Sequence, residues 1–157
     1  MPADAPAIAA IYNAGIRGRM ATFETRERSA DDVLQWFTRE EYPILVAEQD
    51  GQVVGWVAGS PYRARDCYSG ISEFSVYVRP DVQRRGVGDA LMREFLPVLE
   101  SAGFWKVLSR IFPENAGSRA LCRRHGFREV GVYEKHARLD GAWRDVVIVE
   151  RLLGACR

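Results

Sequence analysis

Cysteine is scarce. Cys67, Cys122 and Cys156 are the only three in 157 residues, and their spacing fits neither a disulfide framework nor a metal site. That excludes a disulfide-stapled scaffold and suits a reducing cytoplasm. Long apolar runs are also missing: "PILVA" and "VVIV" are far too short to span a bilayer. The start carries Asp4 and no basic lead-in, so it does not read as a signal peptide. Neither sign of charge is in excess, with 22 Lys and Arg against 21 Asp and Glu for a net +1. No global field draws the chain to nucleic acid, and any anion site must be local. Repeats, linkers and low-complexity segments are absent. What is present is an ordinary globular composition, 47% hydrophobic and 27% charged. The length fits one domain over residues 1–157, with a core of useful size.

Hydrophobic periodicity places Ile8, Ile11 and Tyr12 on one face of a first helix, behind a possible Asp4 cap. Ser29 and Asp32 resemble a capping box that opens a second helix, with Val33, Trp36 and Phe37 turned inward. Two β-rich runs flank Asp50-Gly51, a hairpin signal. After the polar loop "PYRARDCYSG" comes the strand "ISEFSVYV", then a basic turn and a helix with Leu91, Met92, Phe95, Leu96 and Leu99 at helical spacing. Pro97 lies within that helix and is expected to kink or shorten it. "FWKVLSRIF" reads as a strand, "NAGSRALCRRHGF" as an Asn-capped helix stopped by Gly126, and the remainder as two strands around Asp140-Gly141. This order gives an α/β fold, a mixed sheet with helices on both faces.

Two features carry possible chemistry. In "QRRGVG", residues 83–88, Gly86 and Gly88 permit close backbone approach where a strand gives way to a helix. The free amides and positive end of that helix would form an anion cradle, or the segment is simply a solvated basic turn. It is not the phosphate loop of nucleotide hydrolases, which needs Gly-Lys-Ser/Thr, nor a full dinucleotide motif. In the preceding strand, alternation sets Ile71, Glu73, Ser75 and Tyr77 on one face and Ser72, Phe74, Val76 and Val78 on the other. A glutamate in such a strand is costly unless paired or hydrated. It is either held by an arginine or is a general base whose pKa is raised by burial.

Together with "ATFET", "YPILVAEQDGQVVGWV", "YRARDCY", "EFSVYVRP", "PENAGSRALCRRHGF" and "DGAWRDVV", these features resemble the Gcn5-related N-acetyltransferases (GNAT), and within them the phosphinothricin acetyltransferases. The tail "YEKHARLDGAWRDVVIVERLL" looks like the arsinothricin N-acetyltransferase subgroup. The resemblance implies a GNAT fold whose sheet splays between strands 4 and 5, and acetyl-CoA as co-substrate with no metal. It implies that Val76, Tyr77 and Val78 bind the pantetheine arm, and that an N–H near Val76 or Tyr77 stabilises the oxyanion. Arg84, Arg85, Gly86, Val87, Gly88 and Asp89 would take the pyrophosphate through their amides. Asn115, Ser118 and Arg124 would contact the cofactor too, although Ser118 also fits simple helix capping.

By the same match, Glu73 is the base that deprotonates the acceptor amine, and transfer is direct. The rival acyl-cysteine route through Cys67 or Cys122 has no visible activator. Phe23 and Glu24 in one loop, and Arg63, Arg65, Asp66, Cys67 and Tyr68 in another, would build the acceptor pocket for a glutamate-like amino acid. The two arginines suit its acidic groups. A homodimer is implied, with the hairpin near Trp143 close to the pocket, and a role in antibiotic or herbicide resistance. Two departures stand out. Cys122 takes the place of a family Tyr or His that protonates the leaving thiolate, with His125 one turn on. The sequence also begins inside "PADAPAI", without the short edge strand that relatives carry before the first helix, so either the start is trimmed or the fold lacks that strand. The competing readings are acetylation of methionine sulfone, methionine sulfoximine or protein N-termini, and an acyl-CoA-binding module with weak catalysis.

Overall fold

A computed structural model describes Met1–Arg157. The chain opens with a 3-10 turn, Pro2–Asp4, and helix α1, Ala5–Gly18. Asp4 occupies the cap position of α1, but its carboxylate bonds the N-terminal amine at 2.8 Å rather than the helix amides. The Ser29–Asp32 capping box is present: Asp32 N–H donates to Ser29 Oγ at 3.1 Å, and Ser29 N–H donates to Asp32 Oδ2 at 2.9 Å. Helix α2 is nevertheless short, Ala30–Leu34, and continues as a 3-10 turn through Thr38.

Six strands follow: β1, Ile44–Gln49; β2, Gln52–Pro61; β3, Ile71–Val78; β4, Lys106–Ile111; β5, Arg128–Leu139; and β6, Ala142–Leu152. They form one sheet in the order β1-β2-β3-β4-β6-β5, antiparallel except for β3 and β4. Asp50 and Gly51 take positive φ values of 52° and 75°, as the predicted tight hairpin requires. Helix α3, Val87–Ser101, joins β3 to β4, and α4, Ala116–Arg124, joins β4 to β5.

Each face of the sheet has its own core. On one, Phe74 and Val57 pack with Met92, Phe95 and Leu99 of α3 and with Leu121 of α4. On the other, Trp56 and Ala58 pack with Ile8 and Ile11 of α1 and Val33 of α2. Period-two alternation along β2 and β3 feeds both cores at once. Pro97 does not shorten α3. It sits on the exposed side, between buried Leu96 and Leu99, so the carbonyl it leaves without a donor faces water while the apolar side holds the helix together.

Gly15 sets how closely α1 approaches the sheet. A β-carbon there would lie 2.5 Å from Cε1 of Tyr77, whose ring is stacked on Trp56 at 4.9 Å and edge-on to Tyr12 at 5.1 Å. Alanine favours helix by about 1 kcal/mol over glycine, but overpacking against a trapped ring costs about 1–3 kcal/mol. Gly15→Ala is therefore predicted to lower stability in urea unfolding by a net of up to ~2 kcal/mol. Gly18→Ala meets nothing within 4 Å and should be neutral or stabilising.

Candidate active site

The sheet is split where β3 and β4 part. They pair only through Ile71–Lys106, Ser72–Val107 and Glu73–Leu108, although β3 runs on to Val78 and β4 to Ile111. β2 stays with β3 from Ser72 to Val78. One edge of β3 is thus open beyond Glu73. Arg79 N–H donates to Val54 O on the β2 side at 2.8 Å, so by strand alternation the backbone groups of Val76 and Val78 face the gap. The Ser109 hydroxyl donates to Phe74 O at 3.0 Å across the point of divergence, and the Gln83 amide donates to Val78 O at 3.2 Å. The polar groups left toward the gap are the N–H and C=O of Val76 and the N–H of Val78. The backbone of Tyr77 instead faces Trp56 on β2, which corrects the expectation that all three residues present backbone to the gap. Ser109, Asn115, Ser118 and Cys122 line the opposite wall.

At the far end of β3 the glycine turn has the geometry of a cradle. Arg84 and Gly86 have φ of 63° and 84°, and α3 starts directly afterwards, its first bond running from Ala90 N–H to Gly86 O at 3.0 Å. The amides from Arg84 to Asp89 donate to no acceptor within the protein. Consecutive free amides at a helix N-terminus favour an anion on both geometric and dipolar grounds. The side chains of Arg84 and Arg85 are exposed. Gly88 lies against α4, where a β-carbon would be 3.3 Å from Leu121 Cδ2.

Asp89 and Arg124, both expected at the cofactor, are engaged with each other at 3.0–3.1 Å, and His125 Nε2 joins them at 3.0 Å from Asp89. The Arg124 guanidinium, with help from His125, holds the Asp89 carboxyl below the usual range. Their side chains tie α3 to α4, and only the Asp89 amide remains free. Asn115 is similarly occupied: its carbonyl oxygen caps α4 by accepting from Ser118 N–H at 3.2 Å, and its amide donates to Met20 O at 3.3 Å, pinning the loop after α1 over the gap.

Glu73 stands at the last paired position of β3, with its side chain about one-fifth exposed. Burial raises its pKa above the ordinary glutamate value, against the opposing pull of Arg110 and, more weakly, Arg63. The carboxylate is thus gripped by an arginine, at 2.7 Å, and still lies above its usual range. Arg110 was not evident from sequence. The signal needed was the register, since pairing Glu73 with Leu108 puts Arg110, two residues on, over the same face. Cys122 is buried, and its thiol is pushed up to about 12 by burial and by Glu129, which leaves negligible thiolate at neutral pH.

The two loops expected to hold the acceptor meet this face unequally. Phe23 packs edge-on to Phe112 at 4.8 Å, and Glu24 pairs with Arg28 at 2.8 Å. Asn13 clamps the loop by bonding both the N–H and the C=O of Arg28, at 2.7 and 2.8 Å. In the second loop Tyr62 and Tyr68 pack edge to face, and Arg63 lies over Tyr62 at 5.2 Å with its charge felt at Glu73. Arg65, Asp66 and Cys67 are exposed. A wider depression elsewhere, bounded by Arg124, Arg128, Glu150, Arg151 and Arg157, is shallow, and its arginines are already bonded within the protein. No helix is long and apolar enough to cross a membrane.

Comparison with known proteins agrees with this geometry. Residues 9–127 match the Acetyltransferase (GNAT) family. The chain is 32% identical to the phosphinothricin N-acetyltransferase of Alcaligenes faecalis, covering 97% of this chain and 79% of that one. It is 31% identical to the L-methionine sulfoximine/L-methionine sulfone acetyltransferase of Pseudomonas paraeruginosa (strain DSM 24068 / PA7), over 99% and 92%. Among solved structures, a GNAT superfamily phosphinothricin acetyltransferase from Sinorhizobium meliloti in complex with AcCoA superposes with a TM-score of 0.92 at 30% identity, over 98% and 85% of the two chains. With its split sheet, free amide turn and helices on both faces, the chain belongs to the acetyltransferase (GNAT) family.

Proposed function

We propose that the protein transfers the acetyl group of acetyl-CoA to the α-amine of a glutamate-like amino acid of the phosphinothricin or arsinothricin type. The observation that carries this reading is the position of Glu73, the last residue of β3 before the gap opens, beside an open strand edge that leads to six free amides. The acetyl-CoA pyrophosphate fits the amides of Arg84 to Asp89, and its pantetheine arm fits the open edge of β3 in place of a strand. The thioester supplies an activated acetyl carbon.

The N–H of Val76 or Val78 would donate to the carbonyl oxygen as negative charge gathers there. Glu73, directly or through a water, takes a proton from the acceptor ammonium. The amine lone pair then forms the C–N bond, and the C–S electron pair leaves with sulfur. Cys122, its thiol pushed up to about 12, would give its proton to that sulfur only uphill, so the second ammonium proton, left on nitrogen once the C–N bond forms, passes through a water to the departing sulfur. The lack of thiolate at Cys122 also supports direct transfer over an acyl-cysteine.

Arg63, near enough to act on Glu73, would take an acidic group of the acceptor, with Arg65, Asp66, Cys67 and Tyr68 forming the rim of the pocket and Phe23 and Glu24 the opposite lip. Acetylation would remove the amine's charge and so inactivate an antimetabolite. The second acceptor class is methionine sulfoximine or sulfone, the substrates in the name of the Pseudomonas relative. We also propose a cytoplasmic homodimer. The β5–β6 hairpin leaves Val130, Val132, Tyr133 and Trp143 between 45% and 54% exposed, an apolar surface suited to a second copy near the pocket.

Three outcomes test the reading. Thiol release from acetyl-CoA should be fastest with phosphinothricin-type acceptors; no turnover with any of them would remove that substrate class. Glu73→Gln should lower kcat/KM by roughly 10²–10⁴-fold with little change in acetyl-CoA affinity. In calorimetric titration Gly88→Val should weaken acetyl-CoA binding by at least about tenfold, by crowding the amides against Leu121. Arg84→Ala, which removes only an exposed charge, should cost roughly fivefold at most; the opposite ranking would refute the amide cradle.

A further inference from the structure

We infer that Arg110 is a positioning residue for this reaction: it orients the Glu73 carboxylate at the mouth of the gap and keeps it ionised to receive the acceptor's proton. The inference rests on the reading of Glu73 as the base. Its geometry is set by the sheet. Glu73 is opposite Leu108 in the last parallel pair, and alternation carries Arg110, two residues further along β4, over the same face as β4 leaves β3. An arginine at that place reaches back across the opening gap to the carboxylate.

The grip is asymmetric. Nη2 donates to Oε1 at 2.7 Å, whereas Nη1 lies 3.4 Å from Oε2. The first is a strong charge-assisted bond and the second is near the limit of one. Oε1 is therefore held, and Oε2 is the oxygen available to an incoming ammonium or its bridging water. As the proton moves, the N–H bond of the ammonium breaks, an O–H bond forms on Oε2, and the nitrogen lone pair is released for attack. After the transfer the proton passes from Oε2 to solvent.

The charged groups acting on Glu73 are Arg110 from β4 and Arg63 from the loop after β2; its neighbour in β2, Ser60, is uncharged. Burial works in the opposite sense and is the larger influence, so the carboxyl already sits above the ordinary glutamate range with Arg110 present. Without Arg110 it would rise further, and more of the base would be protonated at neutral pH. Arg110 is itself 43% exposed, so its role in holding the fold is small.

The test is the pH dependence of kcat/KM for the wild type, Arg110→Met, Arg110→Lys and Glu73→Gln, with acetyl-CoA and the fastest acceptor. The acid limb should move up by about one pH unit in Arg110→Met, with the rate recovering at high pH. In Arg110→Lys, which keeps the charge and loses the fork, most of that shift should be reversed. An acid limb that stays in place in a folded Arg110→Met protein would overturn the proposal, whatever the change in kcat. Should the Met variant fail to fold, Arg110→Gln serves under the same criterion. A limb that persists in Glu73→Gln would instead remove the base assignment, an outcome distinguishable because Arg110 is intact in that variant.

Discussion

The divergence of β3 from β4 after three residue pairs is the constraint on which the site depends. Backbone N–H and C=O groups inside a protein must find partners, and a parallel pair would ordinarily satisfy them along its full length. Here the strands separate at Glu73, and the protein covers part of the deficit with side chains: Ser109 takes the Phe74 carbonyl and Gln83 takes the Val78 carbonyl. The groups of Val76 and Val78 that remain form an open sheet edge within the molecule. Such an edge is a ready-made acceptor for an extended, amide-bearing ligand. β2 keeps β3 straight and buried from the other side, so the gap does not weaken the sheet as a whole.

The same divergence governs the electrostatics. Glu73 sits where the two strands are still paired, and that partial burial raises its carboxyl. Arg110 sits where they have separated, which leaves its guanidinium room to fold back onto the carboxylate. One change in strand spacing thus supplies an open strand edge, a desolvated carboxylate and a cation that limits how far that carboxylate is perturbed. At the end of β3 a second constraint operates, the positive φ values of Arg84 and Gly86, which turn six amides outward before α3 can claim their carbonyl partners.

Much of this was legible in the sequence. The hairpin at Asp50-Gly51, the Ser29–Asp32 box and the alternation that sets Glu73 opposite Phe74 are local patterns, and local patterns survive into the fold. The "QRRGVG" turn was legible as well, because glycine placement reports backbone conformation directly. Register and pairing were not. Arg110, the Asp89–Arg124 fork and the Asn115 bond to Met20 join residues 35 or more apart, and only the assembled sheet brings them together. Pro97 misled for a related reason. A helix rule applies to a helix in isolation, whereas α3 is held by an apolar face, with Leu96 and Leu99 buried on either side of the proline.

The central claim is that acetyl-CoA binds along the open backbone of β3 and the amide turn. Amide-resolved NMR of the full chain, titrated with acetyl-CoA, tests it most directly. The account predicts that the N–H signals of Val76, Val78 and Arg84 to Asp89 shift and gain protection from exchange, while that of Tyr77, already directed at β2, changes little. Shifts confined to the arginine-lined depression around Arg128 and Arg151, with the β3 and turn amides unmoved, would contradict it.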